Sequence, residues 1–301
     1  MLDLDRVTVL DGGLATELEA RGHDLSGSLW SARMLRDEPA EIEETHLSFF
    51  RAGAHVAITA SYQASFAGFA DERIDSADAA ALMRLSFELA ERARTRRLAE
   101  LPAGAELDVA ASIGPLGAAR ADGSEYRGNY GVTRDELASF HAPRLAELIG
   151  AGAELFAVET LPTVEEAVVV RDLLAAYPSV RAWISFSCRD AATISDGTPI
   201  EDAVAEAVAS PQVIAVGVNC LEPSLVGALL ARAAGVTTRP LVAYPNDGRV
   251  WDAGARRWRG SSSAIEPELL THWRDLGARL IGGCCGVGPA AIERIAATLH
   301  E

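Results

Sequence analysis

Eight short apolar runs rich in β-branched residues recur along the chain, each bounded by turn residues. They are Val7–Leu10, His55–Ser61, Leu107–Ile113, Leu155–Thr160, Ala182–Cys188, Val213–Cys220, Leu241–Pro245 and Arg279–Cys284. Runs of this kind predict buried strands. After each comes a stretch whose apolar positions return every three or four residues: roughly 39–52, 76–100, 133–150, 163–176, 200–209, 222–234, 264–276 and 288–299. That period predicts helices. Ser76, and Thr163 with Glu166, read as helix caps, and the sixth and eighth helices open near Pro223 and Pro289. Eight strand–helix alternations predict the α/β class and a single-domain (β/α)8 TIM barrel over residues 1–301. A doubly wound open sheet is the alternative. Against it, no GxGxxG follows the first strand, where the turn reads Asp11-Gly12-Gly13-Leu14.

In such a barrel the C-terminal strand ends form the active site. Those ends carry Asp11, Thr59, Ser61, Tyr62, Gly114, Glu159, Thr160, Ser187, Cys188, Asn219, Cys220, Tyr244, Asn246, Cys284 and Cys285. Cys220, Cys284 and Cys285 are three of the chain's four cysteines, framed by Asn219, Gly282, Gly283 and Gly286. Thiolates are soft ligands suited to Zn2+. Adjacent strand residues point to opposite faces, so Cys284 and Cys285 reach one ion only if the chain bends, which the glycines permit. Three sulfurs leave a tetrahedral zinc one position short, the mark of a catalytic site. Each cysteine taken alone also reads as a small buried hydrophobe. No CxxC pair is present, which excludes a zinc ribbon or thioredoxin-type motif.

A metal held by three thiolates is electron-rich and suits a fourth thiol, which coordination deprotonates while leaving the sulfur nucleophilic. The fitting reaction is alkyl transfer to a substrate thiol. Asp11 and Glu159 are able to hold an amino acid's ammonium group, and Gly12 and Gly13 allow close backbone approach to its carboxylate. Turn capping also accounts for Asp11. Trp30 and Tyr62 are able to face a cationic donor, or simply pack. Two Gly-rich segments, Pro115–Gly131 and Asn246–Ser263, have the length and composition of lids. The six histidines lack ligand spacing and read as structural, and Cys188 reads as a buried apolar residue.

Composition narrows the function classes. All 27 basic residues are arginine. With no lysine, Schiff-base aldolases, pyridoxal-phosphate enzymes and Walker-A phosphate loops are excluded. The formal charge of −16 argues against nucleic acid and anionic membranes as partners. No 18-residue apolar stretch occurs and the first residues are acidic where a signal peptide is basic, which predicts a cytoplasmic protein with reduced thiols.

Together these residues resemble the homocysteine S-methyltransferase family. The likeness lies in DGGLATEL at 11–18, LWSA at 29–32, ITASYQAS at 58–65, SIGP at 112–115, ADGSEYRGNY at 121–130, VET at 158–160, SFSC at 185–188, DGT at 196–198, GVNC at 217–220, YPNDG at 244–248 and GGCCG at 282–286. The resemblance implies a zinc-dependent methyl transfer to L-homocysteine, forming methionine. It implies Cys220, Cys284 and Cys285 as catalytic zinc ligands and Asp11 and Glu159 as homocysteine contacts, with Thr59 adding a hydrogen bond; Gly12, Gly13 and Asn219 complete the expected substrate side. Trp30 and Tyr62 are expected to meet the donor. The ITASYQAS and ADGSEYRGNY segments look like the branch using S-methylmethionine, with S-adenosylmethionine as a second sulfonium donor. Leu116–Ala119 departs from that branch, where an aromatic often occurs. Betaine as donor, a zinc hydrolase and a non-catalytic zinc or thiol sensor are the rival readings. The expected state is a monomer or small homo-oligomer.

Overall fold

The computed structural model describes residues 2–25, 31–252, 257–263 and 265–300. Eight parallel strands form the barrel: β1 (Thr8–Val9), β2 (Val56–Ile58), β3 (Asp108–Ile113), β4 (Leu155–Leu161), β5 (Arg181–Phe186), β6 (Val213–Asn219), β7 (Leu241–Tyr244) and β10 (Ala278–Ile281). Their order around the sheet is β1-β10-β7-β6-β5-β4-β3-β2, and a single parallel bridge between Leu10 and Val56 closes the ring. A two-stranded hairpin, β8 (Val250–Asp252) with β9 (Arg257–Arg259), lies within the second expected lid.

The predicted helices are present as α3 (Pro39–Arg51), α5 (Ser76–Glu100), α7 (Arg134–Gly150), α8 (Val164–Leu174), α9 (Ile200–Ala207), α10 (Pro223–Ala234), α11 (Pro267–Asp275) and α12 (Pro289–His300). Four short helices were not expected: α1 (Leu14–Ala20), α2 (Ser31–Asp37), α4 (Phe66–Asp71) and α6 (Leu116–Arg120). The cap of α5 is Asp75 rather than Ser76, because the Asp75 carboxylate accepts from Ala77 N and Asp78 N. Thr163 caps α8 as expected, its hydroxyl accepting from Glu166 N.

Alternation along the strands sorts the core into two layers. Leu10, Val56, Ala110, Ala157, Trp183, Ala215, Val242, Tyr244 and Leu280, drawn from every barrel strand or its end, cluster inside the ring. Trp183 fits there because small residues, Ala157 and Ala215, stand opposite it on the neighbouring strands β4 and β6. The alternate residues, such as Val109, Phe156, Ile184 and Val216, pack outward against the helices. Among the described residues no helix is long and apolar enough to cross a membrane.

Candidate active site

The thiols meet where β6 and β10 end. Cys220 follows β6 in the left-handed region at φ 56°, and its N–H donates to Tyr244 O at 3.1 Å. A non-glycine residue held there stores about 1–3 kcal/mol of strain, which the neighbouring strand offsets. After β10, Gly283 N donates to Asp11 O (3.0 Å), Cys284 N to Pro245 O (2.7 Å) and Val287 N back to Cys284 O (3.0 Å). The chain therefore turns sharply at Cys284-Cys285, as their convergence requires. Gly286 completes the turn at φ 80°, where a Cβ would stand 2.3 Å from the Asp247 carboxylate.

Cys220 Sγ lies 3.8 Å from Cys285 Sγ, and Cys284 Sγ 3.9 Å from Cys285 Sγ. All three sulfurs are within 4.8 Å of one another. A tetrahedron with bonds of about 2.3 Å has an edge of about 3.8 Å, so the donor set fits one metal ion of zinc's size. The bare thiols share charge unequally. Hydrogen bonds from Cys284 and Cys285 pull the Cys220 thiol well below its ordinary range, while those two are raised. Cys188 is apart from this cluster, packed against the outer core, and burial pushes its thiol up.

The sulfurs open onto a cavity of about 100 Å3 whose wall includes Asp11, Gly12, Gly13, Thr59, Tyr62 and Glu159. Asp11 also stitches the barrel seam: its N–H donates to Val56 O (3.0 Å), and its Oδ2 accepts from Ile58 N (2.8 Å). Its Oδ1 is buried without a hydrogen-bond partner. Burial, then the nearby Glu159 charge, push its carboxyl well above the ordinary range against the Ile58 hydrogen bond. Glu159 accepts from Ser112 Oγ. Burial raises its carboxyl to about 7 despite hydrogen bonds from Ser112 and Tyr244. Burial is the leading cause at both carboxyls, and a cation beside them would favour their ionised forms.

Thr59 has little capacity left. Its oxygen accepts from Ser112 N (2.9 Å) and sits 2.7 Å from Ser61 Oγ, whose own proton goes to Ser112 O. The Thr59 proton therefore points to Ser61, and one lone pair remains for a donor in the pocket. Gly12 and Gly13 are required by packing: a Cβ would lie 2.0 Å from Val287 O at the first and 2.6 Å from Cys284 O at the second. Asn219 is fully buried behind the wall. Its Oδ1 accepts from Thr160 N, and its Nδ2 donates to Thr160 Oγ1, each at 2.8 Å. It thereby clasps Thr160, another left-handed non-glycine at φ 61°, directly after Glu159. Trp30 lies outside the described residues.

Sequence reasoning missed Glu125 and Tyr126, which form part of the pocket wall opposite the strand ends. They occupy a short 3-10 turn (Ser124–Tyr126) following α6, within the first expected lid. The Tyr126 hydroxyl is 3.1 Å from Cys220 Sγ. Ser187 Oγ donates to Glu125 O at 2.7 Å, docking the lid on the end of β5. Gly117 permits the close pass, since a Cβ there would lie 2.4 Å from Glu125 N. An acid–aromatic pair inside a Gly-rich loop was the available signal.

A second missed group supports the lid from behind. The Arg144 guanidinium, fully buried on α7, donates to the carbonyls of Ala64 (2.7 Å), Gly114 (2.8 Å), Tyr62 (2.9 Å) and Ser61 (3.3 Å). Glu166 Oε1 accepts from Leu116 N at 2.7 Å and lies 2.9 Å from His141 Nε2. Three polar side chains buried together thus anchor the loops after β2 and β3. Arginine suits the task because its planar fork reaches several carbonyls at once.

A sequence profile of the family described as Homocysteine S-methyltransferase matches residues 8–299. The chain is 48% identical over 299 residues to "Homocysteine S-methyltransferase" of Escherichia coli (strain K12), covering 99% of this chain and 96% of that protein. It is 44% identical over 301 residues to "Homocysteine S-methyltransferase YbgG" of Bacillus subtilis (strain 168), covering 99% and 96%. Among solved structures it matches the metallated form of the homocysteine methyltransferase MmuM from Escherichia coli. That match has a TM-score of 0.88 and 47% identity, covering 97% of this chain and 96% of that one.

Proposed function

The chain belongs to the homocysteine S-methyltransferase family, and on that premise we propose zinc-dependent methyl transfer from a sulfonium donor to L-homocysteine in a single domain over residues 1–301. S-Methylmethionine is the preferred donor in this reading and S-adenosylmethionine a second one. The observation that carries it is the trio of sulfurs spaced 3.8 and 3.9 Å beside two buried carboxylates. Cys220, Cys284 and Cys285 are the residues that would hold the ion. A zinc ion there supplies the acidity that keeps the substrate thiol deprotonated at neutral pH.

The chain's own residues do the rest by binding and positioning. Asp11 Oδ1 and the Glu159 carboxylate take the homocysteine ammonium, which returns both to their ionised forms. The remaining lone pair of Thr59 accepts from the same ammonium. The glycine turn at Gly12-Gly13 lets the substrate carboxylate come close to backbone. Asn219 acts from behind, holding Thr160 and hence Glu159 in place. Tyr62, in the pocket wall, faces the donor in this reading, and donor binding is also assigned to Trp30 on its sequence alone. The homocysteine thiolate attacks the sulfonium methyl carbon in line. A carbon–sulfur bond forms as the other breaks, and the electron pair of the broken bond stays on the departing thioether. With S-methylmethionine both products are methionine. Alignment of the two sulfurs and exclusion of water are the protein's main contributions.

The test is direct. Zinc-loaded protein is incubated with homocysteine and, separately, S-methylmethionine, S-adenosylmethionine and betaine, and methionine is measured. The expected result is most methionine with S-methylmethionine, two per donor consumed. Methionine from betaine alone overturns the donor assignment, and none from any donor overturns the reaction.

A further inference from the structure

Three carboxylates face the pocket, and the proposed homocysteine ammonium accounts for only two. Asp11 and Glu159 stand together on the barrel wall and repel one another. Glu125 stands on the lid, with Cys220, Tyr62 and Tyr126 as electrostatic neighbours. It is 8% exposed, and its Oε2 is buried with no hydrogen-bond partner. Arg127, whose guanidinium attracts it, is an exposed residue and donates to the carbonyl of Asp122. Burying a carboxylate oxygen without a partner is costly, and a cation bound in the pocket would complete it.

The surroundings describe that cation. Two tyrosines and a carboxylate line the pocket together beside Cys220, supplying aromatic surface and one negative charge, a set suited to a soft cation. We propose that Glu125 is the specificity residue for the methyl donor, its carboxylate set against the positive sulfonium sulfur between Tyr62 and Tyr126. The assignment rests on the sulfonium-donor reading above and names the group that selects for it.

The reaction itself dictates how such a residue acts. Thiolate and sulfonium enter charged and leave as two neutral thioethers, the methyl carbon exchanging one C–S bond for another. The positive charge facing Glu125 is therefore strongest in the bound donor and fades in the transition state. An interaction of that kind tightens donor binding without speeding the chemical step. Loss of the charge should raise the donor's KM and leave kcat equal or slightly higher.

The experiment compares zinc-loaded wild type with Glu125→Gln and Glu125→Asp, after melting temperature and zinc content are matched. Four constants are read: KM and kcat for S-methylmethionine, KM for homocysteine, and the inhibition constant of methionine, which lacks the sulfonium charge. The expected result is a KM for S-methylmethionine raised more than tenfold in Glu125→Gln, with the other three within about twofold. Glu125→Asp should keep most of the donor affinity. An unchanged donor KM in Glu125→Gln overturns the assignment, as does a parallel rise in all the binding constants, which marks a structural role. Wild type that makes no methionine from any sulfonium defeats the underlying reaction instead, so the two failures are distinct.

Discussion

Cys284 and Cys285 are held by backbone hydrogen bonds to Pro245 and Asp247, with Asp11 tied to the preceding glycine. Across the same pocket, Glu125 and Tyr126 are held by side chains: Ser187 on the Glu125 carbonyl, Gln63 on the Ala118 carbonyl and Glu166 on the Leu116 amide. The first wall is continuous with the sheet and cannot shift without breaking strands. The second attaches at a few points and bends through left-handed residues, Ala121, Gly123 and Gly128. The difference suits the proposed reading, in which a fixed metal centre would face a cover that admits two substrates.

The comparison is broken most completely by removing a sulfur. Cys285→Ala should lose stoichiometric zinc and give no measurable methionine, read by elemental analysis and a methionine assay, while the fold persists by circular dichroism. Gly286→Ala probes the rim's backbone without touching a thiol. Its φ of 80° and the Asp247 carboxylate 2.3 Å from the new Cβ should lower zinc affinity by roughly 10–100-fold, the scale seen for groups that orient ligands. Competition with a chelator measures it.

The smallest expected effect concerns protonation on the rim. Glu159 is raised from 4.5 to about 7 by burial. A carboxyl raised in the folded state favours folding below its unfolded value and loses that contribution as pH climbs from 4.5 through 7. Binding a cation runs the other way, needing the ionised form. The KM for homocysteine should therefore rise as pH falls below about 7, by up to about tenfold per unit. Glu159→Gln should flatten that slope and be the more stable protein above pH 7, as denaturant titrations at two pH values would show.

The barrel was legible because its eight strands and eight helices each carry their own periodicity, long enough to read. The extra helices were not. α6 spans only Leu116–Arg120, and five residues are too few to show a helical stripe. Convergence of Cys220, Cys284 and Cys285 followed once strand ends were assigned to one rim. Glu125 and Tyr126 sit in a loop whose docking depends on Ser187 and Gly117, remote contacts that no local pattern encodes. Glu166 shows the same limit. Read as the fourth residue of a cap beginning at Thr163, it does give its amide to Thr163, but its carboxylate serves Leu116 and His141. Asp75 displaced Ser76 as a cap because either residue satisfies the sequence rule and only backbone geometry separates them.

The Asp11 carboxylate has a double attachment. One oxygen closes the barrel through the Ile58 amide at a junction where β1 and β2 share a single bridge, and the other is buried without a hydrogen-bond partner in a residue that lines the cavity. On the proposed reading, occupancy of the substrate side and closure of the cylinder are joined in one side chain. A cation drawing on the inner oxygen would fix the outer one, so filling the pocket would brace the thinnest seam of the wall.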